Sequence, residues 1–171
     1  MQYGFLHLFP VIIALTALIM DLRTAKVDNG WILFSMGIGL FVCIWEKGVG
    51  GAGFYLAGTL IPLLLTGLFV FGMLGAGDIK LFCALGGVIG SRAILKCILV
   101  SFFTGACISV ALLIFHCNIC NRFLYLIKYT EHFVLTGEIT PYRRKEITAP
   151  ENFHFTIPIF ISILLYAGGF Y

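Results

Sequence analysis

Two acidic residues stand beside long apolar runs, where a charged side chain is unusual. Asp78 lies in Gly75-Ala76-Gly77-Asp78-Ile79-Lys80, between the apolar runs 54–74 and 81–90. A carboxylate costs about 2.5–3.5 kcal/mol at the centre of a membrane helix on insertion scales, and acids in or beside such helices mark functional sites. Asp21 follows another apolar run, so the two acids together are the first candidate site.

Two carboxyl groups held together at one depth of a membrane can share a proton, because repulsion and desolvation raise the pKa of one of them. The ionised member can then activate water while the protonated member polarises a carbonyl group. This is the chemistry of aspartic proteases, which needs neither a metal nor a covalent intermediate. The sequence does not assign the proton to Asp21 or to Asp78, because an interacting pair titrates as a unit.

Two glycines and two basic residues accompany the acids. Gly75 and Gly77 permit backbone angles that other residues resist and allow close approach of another chain, so they are candidates for loop support or substrate binding. Lys80 and Arg23 could bind substrate or a lipid phosphate, or could simply follow the charge bias of membrane proteins. Asp78 also has a simpler explanation, in which it lies at a helix end and pairs with Lys80.

Other polar residues are weaker candidates for a functional site. Asp28 belongs to Asp28-Asn29-Gly30, a turn sequence in which aspartate is favoured for local hydrogen bonds. The four histidines are scattered, mostly near the ends of apolar runs, and we expect interfacial or packed side chains: His7, His116, His132 and His154. Cys117 and Cys120 form a lone C-x-x-C without the second pair of ligands that a zinc site needs. We therefore predict no metal, no cofactor and reduced thiols.

The composition is that of a protein that crosses a membrane several times. Of 171 residues, 60% are hydrophobic and 11% are charged, with a mean hydropathy of +1.04, which excludes an ordinary soluble domain. The net charge of +3 gives no reason to expect a nucleic-acid partner, because the basic residues cluster in the connections. We predict an all-α polytopic membrane protein with one domain over 1–171, surrounded by the lipid bilayer.

Six apolar runs predict six transmembrane helices, some of them short for the roughly 30 Å of hydrocarbon that they must cross. The runs cover 3–20, 31–45, 54–74, 79–90, 93–115 and 153–171. Polar connections are predicted between them, including a Gly-rich turn at 46–53, a loop around Asp78 and a long cytoplasmic loop at 117–152. The pair Gly86-Gly87 predicts close helix contacts, which small residues allow in a membrane.

The basic residues set the predicted orientation. If the six spans alternate, eight basic residues share one side: Arg23, Lys26, Lys80, Arg122, Lys128, Arg143, Arg144 and Lys145. Three fall on the other side: Lys47, Arg92 and Lys96. The positive-inside tendency makes the first side cytoplasmic, with both termini outside. Asp21 and Asp78 then share the cytoplasmic edge of the plasma membrane.

These residues resemble the motifs of a known family. Gly75-Ala76-Gly77-Asp78-Ile79-Lys80 resembles the G-x-G-D-x-K loop of the type IV prepilin peptidases, which are GxGD-type intramembrane aspartyl proteases. Asp21-Leu22-Arg23, after the first span, is similar to the first aspartate of that family in its D-x-R setting. Phe155 and Pro158 are similar to a P-F-x-P segment. The family often has Ile-Pro-Asn where this chain has Val27-Asp28-Asn29.

The resemblance implies a function and a substrate. The short length resembles the compact Tad-type members, which serve Flp pili. Asp21 and Asp78 would be catalytic, and the enzyme would remove a short basic leader from a prepilin or pseudopilin at the cytoplasmic face. The cut would follow a glycine and precede a hydrophobic helix. Longer members carry an extra domain with paired C-x-x-C motifs and methyltransferase activity; the first loop here has no such insertion, so methylation is not implied.

Two alternatives stay open. A GxGD protease of the signal-peptide-peptidase and presenilin type would have more spans and a Tyr-Asp pair well inside a helix, whereas this chain has Met20-Asp21. A small membrane transporter or scaffold with proton-carrying acids would place them near the bilayer midplane rather than at one edge. The sequence names neither the pilin substrate nor the oligomeric state, and it leaves a homo-oligomer open.

Overall fold

The computed structural model describes residues 2–71, 73–115 and 154–171, with side chains over 8–71, 73–112 and 154–171. In these ranges the regular structure is helical, which confirms the all-α prediction for the described part of the chain. The helices are α1 (Gln2–Thr24), α2 (Asn29–Lys47), α3 (Val49–Leu60), a 3₁₀ helix (Ile61–Leu65), α4 (Thr66–Val70), α5 (Ala76–Ile89), α6 (Ser91–Phe115) and α7 (Thr156–Ala167). The predicted loop 117–152 lies outside the described residues, as do the side chains of His7, His116, His132, Cys117 and Cys120.

The chain divides into two compact units. The first comprises Met1–Gly105 and His154–Tyr171, and the second comprises Ala106–Phe153. The first unit contains both candidate acids, and of the second only the end of α6 is described. The single domain expected from the sequence stays a prediction.

Three described stretches are long and apolar enough to cross a membrane. They are Asn29–Lys47, Val49–Val70 and Ser91–Leu112, and Thr156–Ala167 is a shorter apolar helix. Large apolar side chains such as Phe34, Leu64 and Phe103 are exposed on these stretches, as expected for helices that face lipid. A helical membrane protein is thus supported, while six spans with both termini outside stay a prediction.

Several helices extend beyond the apolar runs that predict them. α1 continues to Thr24. Asp21 therefore lies in a helix, whereas the sequence predicts that it lies in the connection after the first span. The Gly-rich turn predicted at 46–53 is also wrong, because the chain breaks only at Gly48, whose φ of 62° suits glycine, and α3 follows directly. Around Pro62, which lacks an N–H, the third run changes from α-helix to 3₁₀ helix.

α5 is the central helix of the first unit. It packs against α1, α2, α3 and the 3₁₀ helix, and residues 81–90 are all buried. Gly86 lies against Gly58 of α3 so closely that a Cβ on either residue would collide with the carbonyl oxygen of the other. The close helix contact predicted from Gly86-Gly87 is therefore confirmed. This packing fixes the helix at whose start Asp78 lies.

Candidate active site

Asp78 lies in the first turn of α5, just before the predicted span 79–90. Gly75 is the N-cap residue, with φ −76° and ψ 145°, and its carbonyl oxygen accepts the backbone N–H groups of Asp78 and Ile79 at 3.2 and 3.4 Å. A Cβ on residue 75 would lie 2.9 Å from Oδ2 of Asp78, whereas a Cβ on Gly77 would meet open space. The loop expected here is thus a helix start, and neither glycine needs a positive φ.

Asp21 is hydrogen-bonded to the segment that enters α7. Its Oδ2 accepts a hydrogen bond from Oγ1 of Thr156 at 2.6 Å and lies 3.0 Å from Nδ1 of His154. The side chains of Asp21 and His154 are 14% and 24% exposed. Because α1 packs along α7, residues from the two ends of the sequence meet here. Two polar groups therefore contact the same oxygen of the Asp21 carboxylate.

Both acids line the same cavity, which has a volume of about 330 Å³. This volume lies at the lower end of the range for small-ligand sites. The lining consists of Asp21, Ala25, Lys26, Val27, Asn29, Gly75, Ala76, Gly77, Asp78 and Lys80. Of the residues that the sequence singles out for the site, Arg23 is the one that does not line this cavity.

The surroundings of Asp78 favour its protonated form. Burial and, after it, the negative charge of Asp21 raise the pKa of Asp78 from 3.8 to about 6. A hydrogen bond with the backbone of Gly75 and the proximity of His154 act in the opposite direction but do not outweigh the burial. The charge of Asp21 therefore affects the ionisation of Asp78, so the pair can hold a proton at a pH where isolated carboxyl groups are ionised.

The sequence model of the type IV leader peptidase family matches residues 8–110. The chain belongs to this family. The matched segment contains both Asp21 and Asp78 and ends before His154 and Thr156. Among curated proteins and among solved structures, no match to the chain was found.

Lys80 and Arg23 occupy different places in this member of the leader peptidase family. Nζ of Lys80 donates a hydrogen bond to Oδ1 of Asn29 at 2.9 Å and so connects α5 to the start of α2. Asp78 and Lys80 are two residues apart on one helix, and side chains at that spacing do not face each other. An ion pair between them is absent from the described residues, so the pairing with Lys80 in the simpler explanation of Asp78 is not seen, although Asp78 does lie at a helix end. Arg23 is exposed near the end of α1.

Sequence reasoning misses two residues at the site, His154 and Thr156. From the sequence, His154 is expected to be interfacial or packed, and nothing singles out Thr156. One signal points to their neighbourhood, because Phe155 and Pro158 carry the resemblance at the start of the final apolar run. The contact with Asp21 itself has no signal in the sequence, since the partners lie at opposite ends of the chain.

The described residues give no indication of metal binding. No group of three or more His, Cys, Asp or Glu side chains in them could hold a metal ion. The described cysteines, Cys43, Cys83, Cys97 and Cys107, are free thiols. The expectation that the protein needs no metal and no cofactor stays a prediction.

Asp28 belongs to a helix start and not to the candidate site. It is the N-cap residue of α2, its carbonyl oxygen accepts the N–H of Ile32 at 3.3 Å, and its side chain makes no capping bond. The turn predicted at 28–30 therefore ends at Asp28, since Asn29 and Gly30 are helical.

We expect Asp28→Asn to change the rate of leader cleavage by no more than about twofold, as for a surface substitution away from the site. The exposed Asp28 carboxylate does not line the cavity, and asparagine caps helices as well as aspartate does. Initial rates of the purified variant and wild type provide the measurement. A loss of about 10²-fold or more, which is the size of effect that a lost acid–base group produces, would show that Asp28 takes part in catalysis.

Proposed function

We propose that the chain is a membrane-embedded aspartic endopeptidase that removes the short basic leader from type IV or Flp prepilins or pseudopilins at the cytoplasmic face of the plasma membrane. The observation that carries this proposal is that Asp21 of α1 and Asp78 of α5 line one shared cavity, within the segment that matches the family. The raised pKa of Asp78 supports it, because an aspartic dyad needs one carboxyl group that retains its proton.

In this mechanism the two carboxyl groups share one proton. The ionised group takes a proton from a water molecule, whose oxygen attacks the scissile carbonyl carbon, while the other group donates its proton to the carbonyl oxygen. The tetrahedral diol then collapses, and the carbon–nitrogen bond breaks. The leaving nitrogen receives the proton that came from water, and a diol hydroxyl returns a proton to the second carboxyl group. The dyad again holds one proton.

The distribution of basic residues supports the proposed side of the membrane, and the open space beside the cavity wall supports a peptide substrate. The distribution of basic residues favours a cytoplasmic position for both acids. A prepilin whose hydrophobic helix lies in the bilayer, with its leader in the cytoplasm, carries its scissile bond at that depth. On the cavity wall, Gly77 leaves open space where another residue would carry a Cβ, so the backbone of a substrate could approach it closely.

Co-expression with candidate prepilins, followed by N-terminal sequencing of the product, tests the proposed function. We expect the mature product to begin directly after the glycine that ends the leader. A precursor that stays intact beside folded protein would overturn the substrate class, and a cut elsewhere in the prepilin would overturn leader removal.

Cleavage is expected to weaken as the pH rises through about 6, because Asp78 must hold the proton of the dyad. The raised pKa means that the protonated form persists to higher pH than for an ordinary aspartate, so kcat/KM falls about tenfold per pH unit only above this value. Initial rates from about pH 4 to 9 in detergent provide the profile, with the folded fraction checked at each pH. A flat profile between about pH 5 and 8 would contradict the role of Asp78.

A further inference from the structure

The two acids of the site have different surroundings. Oδ2 of Asp21 accepts the hydroxyl hydrogen of Thr156 at 2.6 Å and lies 3.0 Å from Nδ1 of His154, which donates when the ring hydrogen is on that nitrogen. Among the described residues Asp78 has no side-chain hydrogen-bond partner, and it is hydrogen-bonded to the backbone of Gly75. Hydrogen bonds donated to a carboxylate favour its ionised form, whereas burial favours its protonated form. The surroundings therefore separate the roles of the two acids.

We propose that His154 and Thr156 are positioning residues that keep Asp21 ionised, so that Asp21 is the base of the dyad and Asp78 is its acid. This assignment rests on the proposed function and gives each acid one role in it. Asp21 takes the proton from water, and Asp78 donates its proton to the carbonyl oxygen. Both positioning residues lie outside the segment that matches the family, which ends at residue 110.

The hydrogen bonds at Oδ2 fix what the two positioning residues must do. An ionised carboxylate has no hydrogen, so both partners must donate. Thr156 donates its O–H, and His154 donates Nδ1–H, either as the neutral tautomer with its hydrogen on Nδ1 or as the imidazolium. Both contacts fall on the same oxygen of Asp21, and Oδ1 has no side-chain partner in the described part of the chain. Oδ1 is thus left for the proton of the attacking water.

Other charged groups near Asp21 do not account for this asymmetry. They are Asp78 and Lys80 of α5, Lys26 of the connection between α1 and α2, Arg23 of α1 itself and His154 before α7. Within the described ranges none of the lysine and arginine side chains pairs with either acid, and Lys80 is bonded to Asn29. Asp78 opposes a negative charge on Asp21. The two donors at the start of α7 are therefore the contacts that favour it.

The acidic limb of the pH profile tests this assignment. Removal of a donor in His154→Leu or Thr156→Val should move the acidic limb of kcat/KM upward by about one pH unit, since a hydrogen bond to a charged group changes an equilibrium about tenfold or more. Below the wild-type limb the loss should approach about tenfold and fall on kcat rather than KM, because the base and not the substrate contact is changed. His154→Asn and Thr156→Ser keep a donor and should keep the wild-type limb.

Phe155→Leu is the matched control for a purely structural effect. Phe155 lies between the two donors in sequence, and its ring packs against Phe82 and Phe102 at centroid distances of 6.4 and 5.3 Å. Its replacement should lower the stability of the segment without moving the acidic limb. If the acidic limbs of His154→Leu and Thr156→Val coincide with that of the wild type, the assignment is overturned. An equal shift of the acidic limb in Phe155→Leu would also overturn it.

The wild-type protein offers a second measurement, which decides the question where the variants do not fold. A water-soluble carbodiimide with an added amine couples to protonated carboxyl groups, and mass spectrometry locates the product. At about pH 5, coupling at Asp78 should precede coupling at Asp21, because the assignment makes Asp78 the protonated member of the pair; the reverse order, or equal rates, would overturn the assignment. If Asp21→Asn and Asp78→Asn both still cleave, the proposed function fails; if both are inactive and the limb does not move, only the assignment of roles fails.

Discussion

Asp21→Asn and Asp78→Asn are each expected to lower leader cleavage by about 10²- to 10⁴-fold, the usual share of a positioned acid–base group. Asparagine has nearly the same shape as aspartate but neither accepts the proton of water nor donates one to a carbonyl oxygen. Initial rates with purified prepilin in detergent provide the measurement, and Asp28→Asn is the matched control with an acid outside the cavity. Substantial cleavage by either variant would contradict the dyad.

The two inactive variants should differ in stability. Measuring their unfolding also checks that the loss of activity is not a loss of folding. Because the pKa of Asp78 rises from 3.8 to about 6 on folding, the folded state binds this proton more tightly than the unfolded state does. The contribution of Asp78 to the free energy of unfolding is then greatest below about pH 4 and is lost as the pH rises through about 6. A neutral asparagine avoids this loss, so Asp78→Asn should be more stable than wild type by about 1–3 kcal/mol at pH 7.

Asp21→Asn should show no such gain. It weakens the hydrogen bonds from Thr156 and His154, which are stronger to a charged acceptor than to a neutral one. Thermal unfolding of both variants at about pH 5 and 7 gives the comparison, and the advantage of Asp78→Asn should shrink at the lower pH. Equal unfolding temperatures for wild type and Asp78→Asn at pH 7 would contradict the destabilising ionisation of Asp78.

The position of the two acids beside apolar runs could be predicted, because it depends on where each apolar run stops. The helix ends could not be predicted, because they depend on charged residues near the ends and on the cap residue. An apolar run stops where charge begins, which places Asp21 and Asp78 at the ends of runs. A helix can continue into the polar residues, since basic side chains such as Arg23 are favourable near a helix C-terminus. α5 likewise begins before its apolar part, with Gly75 as the N-cap residue.

The hydrogen bonds to Asp21 could not be predicted, for a different reason. A lone histidine and a lone threonine near a helix start have no spacing that identifies a partner. His154 meets Asp21 because α7 packs along α1, and that pairing of the ends of the chain is a property of the fold. The resemblance at Phe155 and Pro158 brings the start of the last apolar run to notice but not the polar residues within it.

Gly58→Ala is expected to destabilise the protein by about 1–3 kcal/mol, as for other substitutions that overfill a packed contact. The new Cβ would collide with the carbonyl oxygen of Gly86. Backbone cannot rotate away as a side chain can, so α3 and α5 must separate. Because α5 carries Asp78, cleavage should fall as well. Thermal unfolding and initial rates in detergent provide the two measurements.

Gly53→Ala is the matched control on the same helix. Gly53 is exposed, and nothing lies within 4 Å of the position that its Cβ would take. Alanine is a better helix former than glycine, so this variant should be as stable as wild type or more stable by about 0.5–1 kcal/mol. The opposite signs of the two glycine-to-alanine changes separate helix propensity from helix contact. If Gly58→Ala were also neutral, α5 would not be fixed by α3, and the position of Asp78 would depend on its contacts with the other helices.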